Sequence, residues 1–368
     1  MMHGRMLLFA SVVGVCAAVC VALAPAVHHW KPITQTASVA GDADDPAIWL
    51  NRRDPMQSLI VGTDKRNGAL YVFSLDGRIV QTVEGLKRPN NVDIEYGLRL
   101  GSRRVDVVVA TEREAQRLRI WAIEDGRLRE IGHPERTRVF EGEEGDRTLP
   151  MGIALYRRPR DGAIWAIVSR KAGPTEGYLW QYRLRAEADG KVSVQKVREF
   201  GRFSGDGEIE AVAVDDELGH VFYADEKYGI RKYHADPDHP DANRELAVFG
   251  TAGFEGDREG IAIYRTGSRS GYIVCVDQRE NDSIVYLYPR EGTAGAPHRH
   301  EPALAMIHSS ADETDGLEVT SRPLGTRFPH GLLVMMNSKE RNFLLYRWQN
   351  LQTTGETFTG RRASNQLK

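Results

Sequence analysis

The apolar positions of this chain fall in short runs, broken every few residues by charge or glycine, and the runs come in sets. Each set opens on a polar-to-apolar step: DDPAIWL at 44–50, NNVDIEY at 90–96, PMGIALY at 150–156, EIEAVAVD at 208–215, REGIAIY at 258–264 and TDGLEVT at 314–320. Two further runs rich in β-branched and aromatic residues follow, such as SLIVGTD then GALYVFSL, or GYIVCVD then SIVYLYP. Aligning Ile48, Ile94, Ile153, Val212, Ile261 and Leu317 gives intervals of 46, 59, 59, 49 and 56 residues. No long stretch carries the 3.6-residue apolar period of a helix, so the runs are strands. Units of this length with four short strands each suit propeller blades. The pattern predicts an all-β chain folded as a single six-bladed β-propeller over residues 27–351. A β-sandwich also shows short strands between turns, but not six copies of one pattern.

Composition adds bounds. A formal charge of -2 over 368 residues, with 41% hydrophobic residues, gives no electrostatic reason to expect a nucleic-acid partner. Residues 1–26 begin with His3 and Arg5, continue apolar from Met6 to about Leu23, and carry small residues at Ala22, Ala24 and Ala26. This is the plan of a signal peptide, predicting export to the periplasm or the medium and no stable membrane association after cleavage; an uncleaved anchor is the alternative. Of three cysteines only Cys275 lies beyond that segment, which leaves no internal disulfide. Residues 352–368 form a polar tail. A closed propeller hides its sheet edges and is expected to stand as a monomer.

Charge is concentrated at the polar-to-apolar steps. Five of the six carry acids: Asp44 and Asp45, Asp93, Glu208 and Glu210, Asp257 and Glu259, and Asp315. In a propeller the innermost strands line a central channel, so acids remote in sequence meet on one rim. Carboxylates crowded there repel one another unless a cation neutralises them, and calcium takes many oxygen ligands in flexible geometry. Asp64, Glu112, Asp225, Glu226, Asp277, Gln278 and Asn337, at the ends of the following runs, are candidates to extend such a site. Lys65, Arg113, Lys171, Lys227 and Arg279 recur beside them. Cations interleaved with a metal-binding acidic rim suit a phosphate ester.

DDPAIWL, NNVDIEY, EIEAVAVDDELGHVFYADE, DREGIAIY and DETDGLEV together resemble the β-propeller phytases, from about Asp44 to Trp348. The resemblance implies a secreted, calcium-dependent hydrolase, 3-phytase-like, acting on the phosphomonoesters of myo-inositol hexakisphosphate or its calcium complex. It assigns Glu210, Asp257 and Glu259 to catalytic calcium and the attacking water, with several calcium ions in all. It adds Asp45, Glu226, Gln278 and Asp315 to the metal shells, and Lys65, Arg113 and Lys171 to phosphate; the acid pattern itself offers Asp44 and Asp93 as further metal ligands. The implied reaction is direct attack on phosphorus without a phosphoenzyme. Two positions depart from the family pattern: Met151 stands where a phosphate-binding tyrosine is expected, and Ala172 where an acid is.

Other phosphatase and hydrolase signatures are missing. Asn281 stands six residues beyond Cys275, where a cysteine phosphatase needs arginine, and GSRSG at 267–271 puts Arg269 at the serine position of a nucleophile elbow. Two further readings stand beside the phytase: a calcium-dependent lactonase or phosphotriesterase propeller, and a non-catalytic propeller with structural calcium. The first would often place a histidine near the channel metal, and none occurs at the strand starts.

Overall fold

The computed structural model describes residues 28–351. The expected signal segment and polar tail lie outside the described residues. Four-stranded antiparallel sheets succeed one another along the chain as six blades. Their inner strands are Ala43–Trp49, Pro89–Leu100, Pro150–Arg157, Val212–Asp215, Arg258–Arg265 and Leu317–Thr320, which contain the six aligned apolar residues. Each inner strand packs against the next, and that of blade 6 against that of blade 1, so the ring is closed.

The runs read as continuously apolar because both faces of each blade are buried. In blade 1, Leu59, Val61, Leu70 and Val72 join a core shared with blade 2, while Ile60 and Phe73 join one shared with blade 6. The two-residue alternation of a strand thus feeds two cores instead of one core and solvent. Six such clusters lie between neighbouring blades. Each fully buried large aliphatic side chain contributes roughly 1.5–3 kcal/mol, so the ring is held by its blade-to-blade contacts.

Ring closure was not visible in the hydrophobic pattern. Thr34–Gln35 pairs antiparallel with Asn342–Arg347 as the outer strand of blade 6, joining the two ends of the propeller in one sheet. His28–His29 adds a parallel fifth strand to blade 5 against Ala305–His308. No helix among the described residues is long and apolar enough to cross a membrane. Cys275 is fully buried, and burial pushes its thiol up to about 12, which removes it from nucleophilic chemistry.

Candidate active site

The second strand of blades 1 to 3 ends in a three-residue motif: Thr63-Asp64-Lys65, Thr111-Glu112-Arg113 and Ser169-Arg170-Lys171. Its hydroxyl pins the adjoining inner strand. Thr63 Oγ1 accepts from the Asp45 amide at 3.0 Å, Thr111 Oγ1 from Asn91 at 3.1 Å and Ser169 Oγ from Gly152 at 2.8 Å. The middle residue is fully buried and ties loops together. Asp64 accepts the amides of Gly41, Asp42 and Asn67, Glu112 holds Arg117 and Arg119, and Arg170 donates to the carbonyls of Gly177 and Tyr178. The third residue reaches the acids at the inner-strand starts.

The same spacing continues into blades 4 and 5, where Asp225 and Asp277 are buried loop staples and Glu226 and Gln278 follow them. This revises the expectation for the strand-end acids and amides. The oxygens of Asp64, Glu112, Asp225, Asp277 and Asn337 are occupied by protein donors, because the loops entering each inner strand need their amides satisfied. Glu226 and Gln278, one position later, belong to the rim.

On that rim, carboxylate oxygens of Glu208, Glu210 and Glu226 lie within 4.8 Å of one another, as do those of Glu226, Asp257 and Glu259. Glu226 is shared, so blades 4 and 5 supply two adjoining clusters. Burial first, then the charge of Glu210, pushes Glu226 up to about 8. Burial and the surrounding acids hold Glu259 well above the usual carboxylate range. Glu259 Oε2 and Glu208 Oε2 are buried without a hydrogen-bond partner, as is Asp44 Oδ2. Oxygens left in that state cost free energy that a hard cation would return, and these donor sets fit one.

Each candidate phosphate-binding cation is paired with a candidate metal ligand. Lys65 Nζ sits 3.0 Å from Asp44 and 2.9 Å from Asp315, whose other oxygen accepts from Gln278 Nε2 at 2.6 Å. Burial opposes the charge on Lys65, but Asp44, Asp315 and Glu210 outweigh it and raise its pKa. Arg113 lies 3.6 Å from Glu210, Lys171 pairs with Glu208, and Lys227 with Asp257. The rim therefore brings together Asp44, Lys65, Arg113, Lys171, Glu210, Glu226, Asp257, Glu259, Gln278 and Asp315.

Asp45 and Asp93 are placed differently. Asp45 Oδ2 accepts the Val92 amide at 3.0 Å, and Asp93 accepts Leu155 and Ile94 amides, both at 2.6 Å. These carboxylates stitch one inner strand to the next, and burial raises Asp93 to about 7. Both line a channel cavity of about 800 Å³ that reaches Glu259 but none of the other rim acids. The channel walls also carry Glu95, Asp216 and Glu318, which would repel a phosphate ester.

Three features carried no assigned role at the sequence level. Arg258, inside DREGIAIY, is buried and turns away from the acids beside it. It donates to the carbonyls of Glu226 at 2.6 Å and Gly250 at 2.7 Å, fixing the backbone on which Glu226 stands. Gly152 permits a close approach between blades, since a Cβ there would lie 1.9 Å from the Glu210 carbonyl oxygen. Met151 is fully buried and contributes nothing to the rim surface. Blade 3 thus reaches the rim through Lys171 and not through its inner-strand start, and Asn90 of blade 2 reaches across to Glu210 of blade 4.

Fold and rim together define a six-bladed β-propeller with an acidic, cation-studded site at one end of its channel. The Phytase family profile matches residues 5–352, and the 3-phytase of Bacillus subtilis (strain 168) is 30% identical over 350 residues, covering 89% of this chain and 87% of that protein. The chain belongs to the phytase family. Solved structures add likeness of fold alone. Regucalcin from Agrobacterium tumefaciens strain C58 aligns with a TM-score of 0.50 at 11% identity, over 87% of this chain and 97% of that one. The aldose sugar dehydrogenase of Streptomyces coelicolor aligns with a TM-score of 0.50 at 13% identity, over 88% and 99%.

Proposed function

We propose that this phytase hydrolyses phosphomonoesters of myo-inositol hexakisphosphate in a calcium-dependent reaction, with several calcium ions on the rim. The observation that carries the metal reading is the set of buried oxygens without partners, Asp44 Oδ2, Glu208 Oε2 and Glu259 Oε2, in an all-oxygen donor set. Glu210, Asp257 and Glu259 are the residues that would hold the catalytic calcium. Glu226, Gln278, Asp44 and Asp315 would complete the shells, and Asp45 and Asp93 face the channel below. When bound, calcium supplies positive charge against phosphoryl oxygens and acidifies water. The chain's own work is to position: Lys65, Arg113 and Lys171 hold phosphate, and the acids accept the proton of the attacking water. Lys65, paired with Asp44 and Asp315, would be released toward phosphate where those acids held the ion. The reading extends to an exported monomer, secreted or periplasmic, whose substrate is a small molecule.

The test is phosphate release from phytate with calcium, with chelator, and by Glu210→Gln in calcium. We expect release to require calcium and to fall about 10²-fold or more in the variant, with the melting temperature retained. Absence of release by the native chain at every calcium concentration would overturn the reading.

A further inference from the structure

We propose that Asn90 is a positioning residue that couples the phosphate-binding arginine to the metal-binding acid. The inference rests on the calcium-dependent phytase reading and names a residue that it leaves without a role. Asn90 is fully buried, and its amide is committed on both sides. Nδ2 donates to Glu210 Oε2 at 3.0 Å and to Asn91 Oδ1 at 2.7 Å, while Oδ1 accepts from the Arg113 guanidinium. Arg113 itself comes only within 3.6 Å of Glu210 Oε1, so the hydrogen-bonded connection between these two groups runs through Asn90.

A neutral amide suits this place for a physical reason. A carboxylate free to rotate would turn both oxygens toward the nearest guanidinium and close a bidentate pair, removing both groups from substrate and metal. Asn90 offers a donor to the acid and an acceptor to the arginine, holding them beside each other without that closure. Aspartate would keep the acceptor and lose the donor, and leucine would lose both. The bond spans 120 residues of sequence. Between Asn90 and Glu210, the start of the blade 3 inner strand offers only Gly152, where a Cβ would lie 1.9 Å from the Glu210 carbonyl oxygen, and the fully buried Met151. The departure at Met151 thus goes with a direct link between blades 2 and 4.

The near-isosteric variant Asn90→Asp separates the two halves of the role. It retains an oxygen for Arg113 and sets a like charge against Glu210. We expect kcat on phytate to fall about 10²-fold with KM within about threefold of native. Asn90→Ala releases Arg113 as well, and KM should rise about tenfold in addition. A readout independent of turnover is the calcium titration followed by calorimetry. Asn90→Ala should weaken binding about tenfold in the native background and less than about twofold in a Glu210→Ala background, the non-additivity expected of residues acting through one contact. Equal weakening in both backgrounds, or native kcat in Asn90→Asp, would overturn the proposal. A native chain that binds calcium but does not hydrolyse phytate would sink the functional reading, and the calorimetric cycle would still decide on Asn90.

Discussion

The two ends of the propeller handle buried charge in opposite ways. At the end away from the rim, Arg290 is fully buried and donates to both oxygens of Asp215 at 2.6 Å, to Glu217 at 2.9 Å, and to the carbonyl of Gly267 at 3.1 Å. Arg290, Asp215 and Glu217 thus have geometrically matched partners supplied by the chain. On the rim, carboxylates outnumber their cations, three buried oxygens have no partner, and burial raises Glu226 and Glu259 above the usual range. A saturated ion network stabilises one arrangement of blades 4 and 5, whereas an unsaturated one is poised for something from outside. Counting buried acids alone would have scored both ends as sites. The balance of partners distinguishes them.

The largest effect is expected where the network is complete. Asp215→Ala strands the buried Arg290 guanidinium, and loss of one partner of a buried pair costs about 3–5 kcal/mol. Chemical denaturation should show that loss, while turnover per folded molecule in calcium stays native. Lys65→Met removes a charge from the rim and should act in two directions. Metal-free protein should melt lower, because Asp44 and Asp315 lose their ammonium partner, and the calcium midpoint should tighten about tenfold, because the ion no longer displaces that ammonium. KM for phytate should rise. If Lys65→Met instead weakens calcium binding, the rim cation is part of the metal scaffold and the contrast between the ends fails there.

Much of this organisation was legible in the sequence, for reasons that can be named. The blade count followed from the polar-to-apolar step that opens each inner strand and repeats with every blade. The rim acids and the cations Lys65, Arg113 and Lys171 followed from their fixed offsets at strand ends. What escaped depends on neighbours distant in the chain. Asn90 gains its role from Glu210, 120 residues further along the chain, and Arg258 looks like a rim charge until its guanidinium is seen on the carbonyls of Glu226 and Gly250. Thr34–Gln35 and His28–His29 are too short for strand periodicity to register. Asp64 was indistinguishable from a metal ligand by spacing, because only the fold shows which amides claim its oxygens. The three-residue motif of hydroxyl, buried charge and rim cation was present in the sequence and would have separated Asp64 from Lys65.

The smallest predicted effect is also the one that sets the two ends against each other directly, through pH. Near the end away from the rim, between blades 4 and 5, burial and then the neighbouring Lys232 charge hold His220 down to about 2 and His300 to about 4. Burial and then His239 hold His234 to about 4. These rings are neutral in the fold but take up protons in the unfolded chain below about pH 6.5, so the stability that they allow is present above that pH and drains away as pH falls toward 4. Glu226 behaves oppositely. Its raised pKa of about 8 gives a contribution that is complete below the unfolded value of about 4.5 and is lost as pH rises through 8. Thermal melts of chelated protein should therefore weaken on both sides of a slightly acidic to neutral optimum. Calcium, by neutralising the rim acids, should remove the alkaline loss and leave the acid loss in place, and His220→Phe should lessen the acid loss without touching the alkaline one. A calcium effect of equal size at pH 5 and pH 9 would show that the rim acids are already ionised without the ion, and the distinction between a waiting rim and a satisfied far end would then rest on geometry alone.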